Sequence, residues 1–287
     1  MRPRPREPEV LRLHRQAAPG RPTALLFHPG ALPVSVHRAT AEALPDGVGM
    51  TVLDISALPG YRPPMREGEA EVGTLAELLE HLRKEWSPPP AGAAPYVLTG
   101  WSFGGVVAHA LTASLPAAER PSKLVLLDSI AATEAYTRRD DELEVATLLS
   151  WFALYLGARR GRAVPVSAAS LTGRDTDRGL TQVLAAAVAC GALADDVTLP
   201  GLRKLYAGYV DGLLRNNRLT ATHRPVPVDV PITLVRAKRG LIQDEEDLGW
   251  RPLAGAGLTV RQCPGDHYTM LSRPDAVRVL ADEISRA

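Results

Sequence analysis

The chain has 287 residues, with 33 Lys and Arg against 32 Asp and Glu, and a formal net charge of +1. So even a balance, with no basic patch interleaved with stacking aromatics, argues against nucleic acid as a partner. Cys190 and Cys263 are too few for a disulfide framework or zinc cluster, and the start, Met1-Arg2-Pro3-Arg4-Pro5-Arg6, lacks the apolar core of a secretory signal; with no run of membrane-spanning length, a cytoplasmic protein without metal or membrane contact is expected.

Residues 1–20, rich in Arg and Pro, read as a flexible extension with at most one helical turn around 9–15. Order is expected from Thr23. From there, short apolar runs at 23–27, 50–55, 96–99, 123–128, 232–237 and 258–263 alternate with helical patterns at 36–43, 72–86, 105–115 and 274–285. Such alternation predicts an α/β fold in which a mostly parallel sheet is flanked by helices on both faces. The alternation lapses at about 131–224, where helical patterns at 143–156, 177–192 and 202–214 follow one another with no strand between them. The expectation is a single domain over 21–287 carrying a helical lid insertion. Because the insertion follows the strand ending in Asp128, it should lie over the carboxyl ends of the strands, where open α/β sheets place their sites.

The chemistry concentrates in Gly100-Trp101-Ser102-Phe103-Gly104, a G-x-S-x-G string between a strand-like run and a small-residue helix. In that context it reads as a nucleophile elbow, which projects the serine hydroxyl above the sheet. A serine needs a histidine to take its proton and an acid to fix that histidine's tautomer. His267, in Pro264-Gly265-Asp266-His267-Tyr268 after the last strand, satisfies the α/β-hydrolase order Ser, acid, His. Two places could supply the acid: Asp128, ending the run Leu124-Val125-Leu126-Leu127, and the loop after 232–237. The second reads Lys238-Arg239-Gly240-Leu241-Ile242-Gln243 before reaching Asp244, so Asp128 is preferred, and Asp266 is read as loop structure. The oxyanion hole is expected from the Phe103 N–H and from Gly30 or Ala31, since Pro29 has none to give. His28, Trp101, Tyr206 and Tyr268 are the candidate substrate contacts. Trp151, Phe152, Tyr155, Tyr206 and Tyr209 fit an acyl tunnel or the core of the lid equally well. The other histidines, His14, His37, His81, His109 and His223, read as solvated or structurally satisfied.

With these residues placed, the chain resembles the product-releasing thioesterases of polyketide synthase and nonribosomal peptide synthetase pathways. The resemblance runs from about Thr23 to the C-terminus. It rests on Gly100-Trp101-Ser102-Phe103-Gly104-Gly105, on Leu124 to Asp128, on the helical lid and on Gly265-Asp266-His267-Tyr268-Thr269-Met270. It implies that Ser102 takes an acyl chain from the phosphopantetheine thioester of an acyl or peptidyl carrier protein. The chain then passes to water, giving a free acid, or to a nucleophile of its own, giving a ring. His267 would be the general base and Asp128 its orienting acid, with no cofactor beyond the carrier's pantetheine arm. Editing thioesterases tend to place the acid after the later strand, where this chain has Lys238 and Arg239, so release is favoured over editing. The first 20 residues lack the apolar periodicity of pairing helices, so a monomer is expected. Arg138, Arg139, Arg159, Arg160 and Arg162 form a local excess of positive charge that suits either an acidic carrier or a solvated face. The alternatives are an editing thioesterase, a carboxylesterase of small esters, and a catalytically silent fold used for binding.

Overall fold

The computed structural model describes residues 10–62, 71–90, 92–136, 140–242 and 245–286. Among the described residues, seven strands form one sheet: β1 (Leu11–Arg15), β2 (Thr23–His28), β3 (Gly49–Asp54), β4 (Tyr96–Trp101), β5 (Lys123–Leu127), β6 (Ile232–Arg239) and β7 (Leu258–Asp266). Their spatial order is β1-β3-β2-β4-β5-β6-β7, and every pairing is parallel except β1 with β3. The helices are α1 (Arg38–Ala43), α2 (Leu75–Glu85), α3 (Phe103–Ser114), α4 (Val145–Arg160), α5 (Ala168–Leu171), α6 (Thr176–Ala189), α7 (Leu199–Thr220) and α8 (Pro274–Ser285). No described helix is long and apolar enough to cross a membrane.

The central strands, β2 to β5 and most of β6, are buried on both faces, so alternate residues feed two cores. Leu26, Met50, Val52, Val97, Val125 and Val235 face a core shared with the inserted helices and α8, whereas Phe27, Leu53, Leu98, Leu124 and Leu234 face one shared with α2 and α3. Local chemistry sets the helix ends. Thr74, Asp175 and Thr198 cap α2, α6 and α7 with side-chain oxygens that accept from backbone N–H groups three residues on, and Gly161 ends α4 in the left-handed region at φ 66°.

One part of the sequence expectation is overturned. Leu11–Arg15 is neither mobile nor helical but an antiparallel edge strand on β3. Side-chain anchoring supports it: the Arg15 guanidinium donates to the carbonyls of Ala41, at 3.2 Å, and Leu44, beyond the end of α1, and to Asp46 at 3.2 Å. Residues 1–9 lie outside the described residues, as do Arg138, Arg139, Gln243 and Asp244. Among the described residues, the helices α4 to α7 fall between β5 and β6.

Candidate active site

The site begins with the turn that ends β4. Ser102 adopts φ 55° and ψ −127°, outside the regions open to ordinary residues, and is pinned there by its N–H to Leu127 O (3.0 Å) and its carbonyl to the Gly105 N–H (3.0 Å). So abrupt a strand-to-helix turn requires α3 to press against the sheet. A Cβ on Gly104 would stand 2.1 Å from Phe27 O, and one on Gly100 would stand 2.2 Å from the Gly104 backbone. Ser102 is the N-cap of α3, so the Phe103 N–H belongs to the first turn, whose donors have no intrahelical acceptor.

Asp128 follows β5 directly and also has positive φ, at 44°. Its carboxylate accepts from the Ala237 N–H at 3.0 Å through Oδ1 and from His267 Nδ1 at 2.8 Å through Oδ2. Both side chains of the Asp128–His267 pair are 3% exposed. The histidine thus carries its proton on Nδ1, which leaves Nε2 as the ring acceptor. The position after β6, the other place considered for an acid, holds Gly240, where a Cβ would meet the Asp128 carboxylate oxygens at 2.9 and 3.0 Å. The two strand ends converge on one spot, and the glycine leaves it to Asp128. Sequence reasoning did not single out Gly240.

The loop bearing His267 is fixed at several points. Asp266 Oδ1 accepts the N–H groups of Tyr268 (3.0 Å) and Thr269 (2.9 Å), while its own N–H donates to Thr269 Oγ1 (2.9 Å), as the loop-structure reading of Asp266 anticipates. Trp101 Nε1 donates to the His267 carbonyl at 2.9 Å, which links the residue before the serine to the histidine.

These elements enclose a cavity of about 360 Å³ that both Ser102 and His267 border. Pro29, Gly30 and Ala31 form one rim, with Gly30 at φ 94° and so close to Ser56 that a Cβ would stand 2.3 Å from Ser56 Cβ. Trp101 and Tyr268 also line the cavity. Two candidate contacts do not. His28 is fully buried beneath Trp101, its ring stacked at 5.8 Å, with Nδ1 bonded to His37 Nε2 (2.9 Å) and Nε2 to Leu32 O (2.7 Å); a ring with both nitrogens engaged behind the loop cannot face a substrate. Burial pushes the pKa of both histidines down, so the pair stays neutral. Tyr206 packs edge-on against Phe152 (5.2 Å) and is part of the interior of the insertion.

The far wall is α7. Leu205, Gly208, Tyr209, Gly212, Leu213, Arg215 and Asn216 recur at helical spacing along one stripe that faces the cavity. Nothing lies within 4 Å of a Cβ built on Gly208 or Gly212. Glycine inside a helix costs about 1 kcal/mol relative to alanine, so two of them four residues apart were a legible sign of a wall kept bare. Tyr209 and Tyr155 of the proposed tunnel set reach the cavity, and the Tyr209 and Tyr268 hydroxyls are 2.8 Å apart. Arg159 is exposed near the end of α4 and donates to the Tyr155 hydroxyl at 3.0 Å.

The family described as Thioesterase domain matches residues 22–286. The polyketide synthase PKS1 of Zymoseptoria tritici is 28% identical over 212 residues, covering 72% of this chain and 8% of that protein. The probable nonribosomal peptide synthetase CymA of Salinispora arenicola is 31% identical over 226 residues, covering 77% of this chain and 3% of that protein. The chain therefore spans less than a tenth of either curated relative. Among solved structures, the four-domain nonribosomal peptide synthetase AB3403 superposes with a TM-score of 0.65 at 26% identity, over 98% of this chain and 20% of that one. The NocB thioesterase domain, solved as a covalent complex with a fluorophosphonate nocardicin G analogue, gives 0.56 at 23% identity over 97% and 99%. RedJ, a thioesterase of Streptomyces coelicolor, gives 0.55 at 22% identity over 94% and 87%. The fold is that of the α/β-hydrolase-type thioesterases.

Proposed function

Because the chain belongs to the thioesterase-domain family, we propose that it releases a polyketide or peptide acyl chain from a carrier protein's phosphopantetheine thioester through an acyl-Ser102 intermediate. The carrying observation is the Asp128–His267 hydrogen bond, which leaves His267 Nε2 free as the acceptor in a cavity bordered by Ser102.

In the proposed first half-reaction, Ser102 Oγ attacks the thioester carbonyl carbon as its proton passes to His267 Nε2. The Phe103 N–H and that of Gly30 or Ala31 stabilise the oxyanion. Collapse breaks the carbon–sulfur bond, and His267 returns the proton to the departing pantetheine thiolate. In the second half-reaction the acceptor, water or a hydroxyl or amine of the acyl chain, loses its proton to His267 and attacks the ester. Ser102 then leaves with that proton. Asp128 holds the Nδ1–H tautomer and stabilises the imidazolium formed in each half.

The test is turnover of long acyl-pantetheine thioesters with products weighed by mass spectrometry. Ser102→Ala is expected to abolish both product release and labelling by a fluorophosphonate. A product heavier than the cyclised chain by one water identifies hydrolysis, and its absence identifies ring closure. If Ser102→Ala still releases product, or if simple oxygen esters are turned over while every pantetheine thioester is refused, the reading is wrong.

A further inference from the structure

We propose that the Arg62–Arg215–Asn216 end of the cavity is a subsite for an anionic group of the substrate, a carboxylate or phosphate, with Arg215 determining the preference. This deepens the thioesterase reading and rests on it.

Three cationic side chains border the cavity, Arg62, Lys204 and Arg215, and among the described residues that line it there is no Asp or Glu. Lys204 sits three turns from Arg215, about 16 Å along α7, so the dense positive end is formed by Arg62 and Arg215. Arg215 is held rather than loose. Its side chain is 14% exposed, its guanidinium stacks over the Tyr61 ring at 5.6 Å, and its Nε is buried with no hydrogen-bond partner. The nearest carboxylate, Glu71 Oε1, stands 3.9 Å from Nε and is 45% exposed, a weak pair that leaves the fork of the guanidinium uncommitted.

The neighbouring polar groups strengthen the asymmetry. The Tyr61 hydroxyl donates to Asn216 Oδ1 at 2.6 Å, which turns the Asn216 amide so that its NH₂ remains to donate. Arg62 donates to Ser56 Oγ at 3.2 Å, and that hydroxyl is itself committed as a donor to Asp54 Oδ1 at 2.6 Å. The Arg62, Arg215 and Asn216 side chains therefore present donors to the cavity. A donor-only cluster of net positive charge is matched by a group that is all acceptor, and a planar guanidinium fork fits a carboxylate or phosphate in two parallel bonds. Two parts of the substrate could bring that group: the acyl chain, as a carboxylate, or the pantetheine arm, as its phosphate.

Two matched pairs of thioesters separate these sources. In the first, the acyl chain on pantetheine ends in a carboxylate or in the corresponding primary carboxamide, over a series of chain lengths. In the second, a neutral chain is carried on 4′-phosphopantetheine or on pantetheine. The wild-type kcat/KM is expected to favour the anionic member of one pair by about tenfold or more, the effect of roughly 1.4 kcal/mol. Preference in the first pair assigns the anion to the acyl chain, and preference in the second assigns it to the arm. Arg215→Gln should bring the ratio towards one, and Arg215→Lys should retain part of it. Ratios near one in both pairs for the wild type, which needs no variant to fold, overturn the inference, as does a ratio that Arg215→Gln leaves intact. Turnover indifferent to charge defeats this inference alone, whereas failure of every thioester defeats the function on which it rests.

Discussion

Replacing Asp128 by Asn tests the proposed catalytic geometry with almost no change in shape. The carboxylate is held between two donors, the Ala237 N–H at 3.0 Å and His267 Nδ1 at 2.8 Å. An asparagine can satisfy them in only two ways. If its oxygen faces Ala237, its NH₂ faces His267, and the ring must shift its proton to Nε2 to accept. If it is turned round, its NH₂ meets the Ala237 N–H, two donors face to face in a buried site, at a cost of about 1–3 kcal/mol. The first arrangement leaves every donor paired and prevails. It puts the proton on the nitrogen that must take one from Ser102. The expected loss is on the order of 10⁴-fold in kcat, the scale found when the equivalent tautomer is inverted in a serine hydrolase triad, or about 5 kcal/mol of activation free energy. The assay is thiol release from an acyl-pantetheine thioester, alongside circular dichroism and a melting curve to show that the variant is folded. A folded Asp128→Asn protein with kcat within tenfold of wild type would refute the assignment of Asp128 as the group that sets the tautomer.

Gly240→Ala should leave the melting temperature little changed but lower kcat by roughly 10- to 100-fold, because its Cβ would lie 2.9 Å from Asp128 Oδ1 and displace the carboxylate; unchanged kinetics would show that the carboxylate has room to move. Gly104→Ala should destabilise the fold by about 3 kcal/mol or more, since no flexible side chain can yield where its Cβ would meet Phe27 O at 2.1 Å, and a denaturation shift below ~1 kcal/mol contradicts so close a packing of α3. Burial against Trp250 is the largest cause that pushes the His109 pKa down to about 4. The unfolded chain, with His near 6.5, therefore binds more protons between those values, so this contribution is fully present above pH 6.5 and lost as pH falls towards 4, by about 3 kcal/mol in all. His109→Phe should flatten the dependence of melting temperature on pH across that window; a slope identical to wild type argues against His109 as its source.

The central strands were legible because a strand buried on both faces has to be an apolar run, as Val97-Leu98-Thr99 and Leu124-Val125-Leu126-Leu127 are. Their carboxyl ends were less so. The segments 238–239 and 264–266 belong to β6 and β7, but their residues are polar or turn-forming because they reach towards the site, and no hydrophobic pattern marks them. The edge strand β1 was missed for a related reason. Leu13 is 62% exposed, and backbone pairing together with Arg15 anchors a segment that buries little. The positions of Ser102, Asp128 and His267 were legible because each stands at a junction, directly after the last residue of a strand, where a motif or the end of an apolar run marks the place. His28 occupies the same kind of junction, yet its ring turns inward to His37, a rotamer choice on which spacing is silent. The basic end of the cavity depends on Arg62 and Arg215 meeting across a large separation in sequence, which no local pattern encodes.

Ser102, Asp128 and His267 all hang from the ends of β4, β5 and β7, and their supports, Leu127, Ala237, Trp101 and Asp266, are likewise on or beside the sheet. Among the described residues, no hydrogen bond from the inserted helices holds any of the three, yet these helices supply the far wall of the cavity. On the proposed function, reaction and recognition are therefore separate modules of this molecule. The insertion can change its side chains, length or tilt and so reshape the cavity while Ser102, Asp128 and His267 keep their spacing. Tyr268 is where the two modules touch, through its hydroxyl contact with Tyr209. A chimaera exchanging 145–220 for the corresponding helices of a relative should inherit the donor's substrate range on this protein's chemistry, with residue 268 the first to need matching.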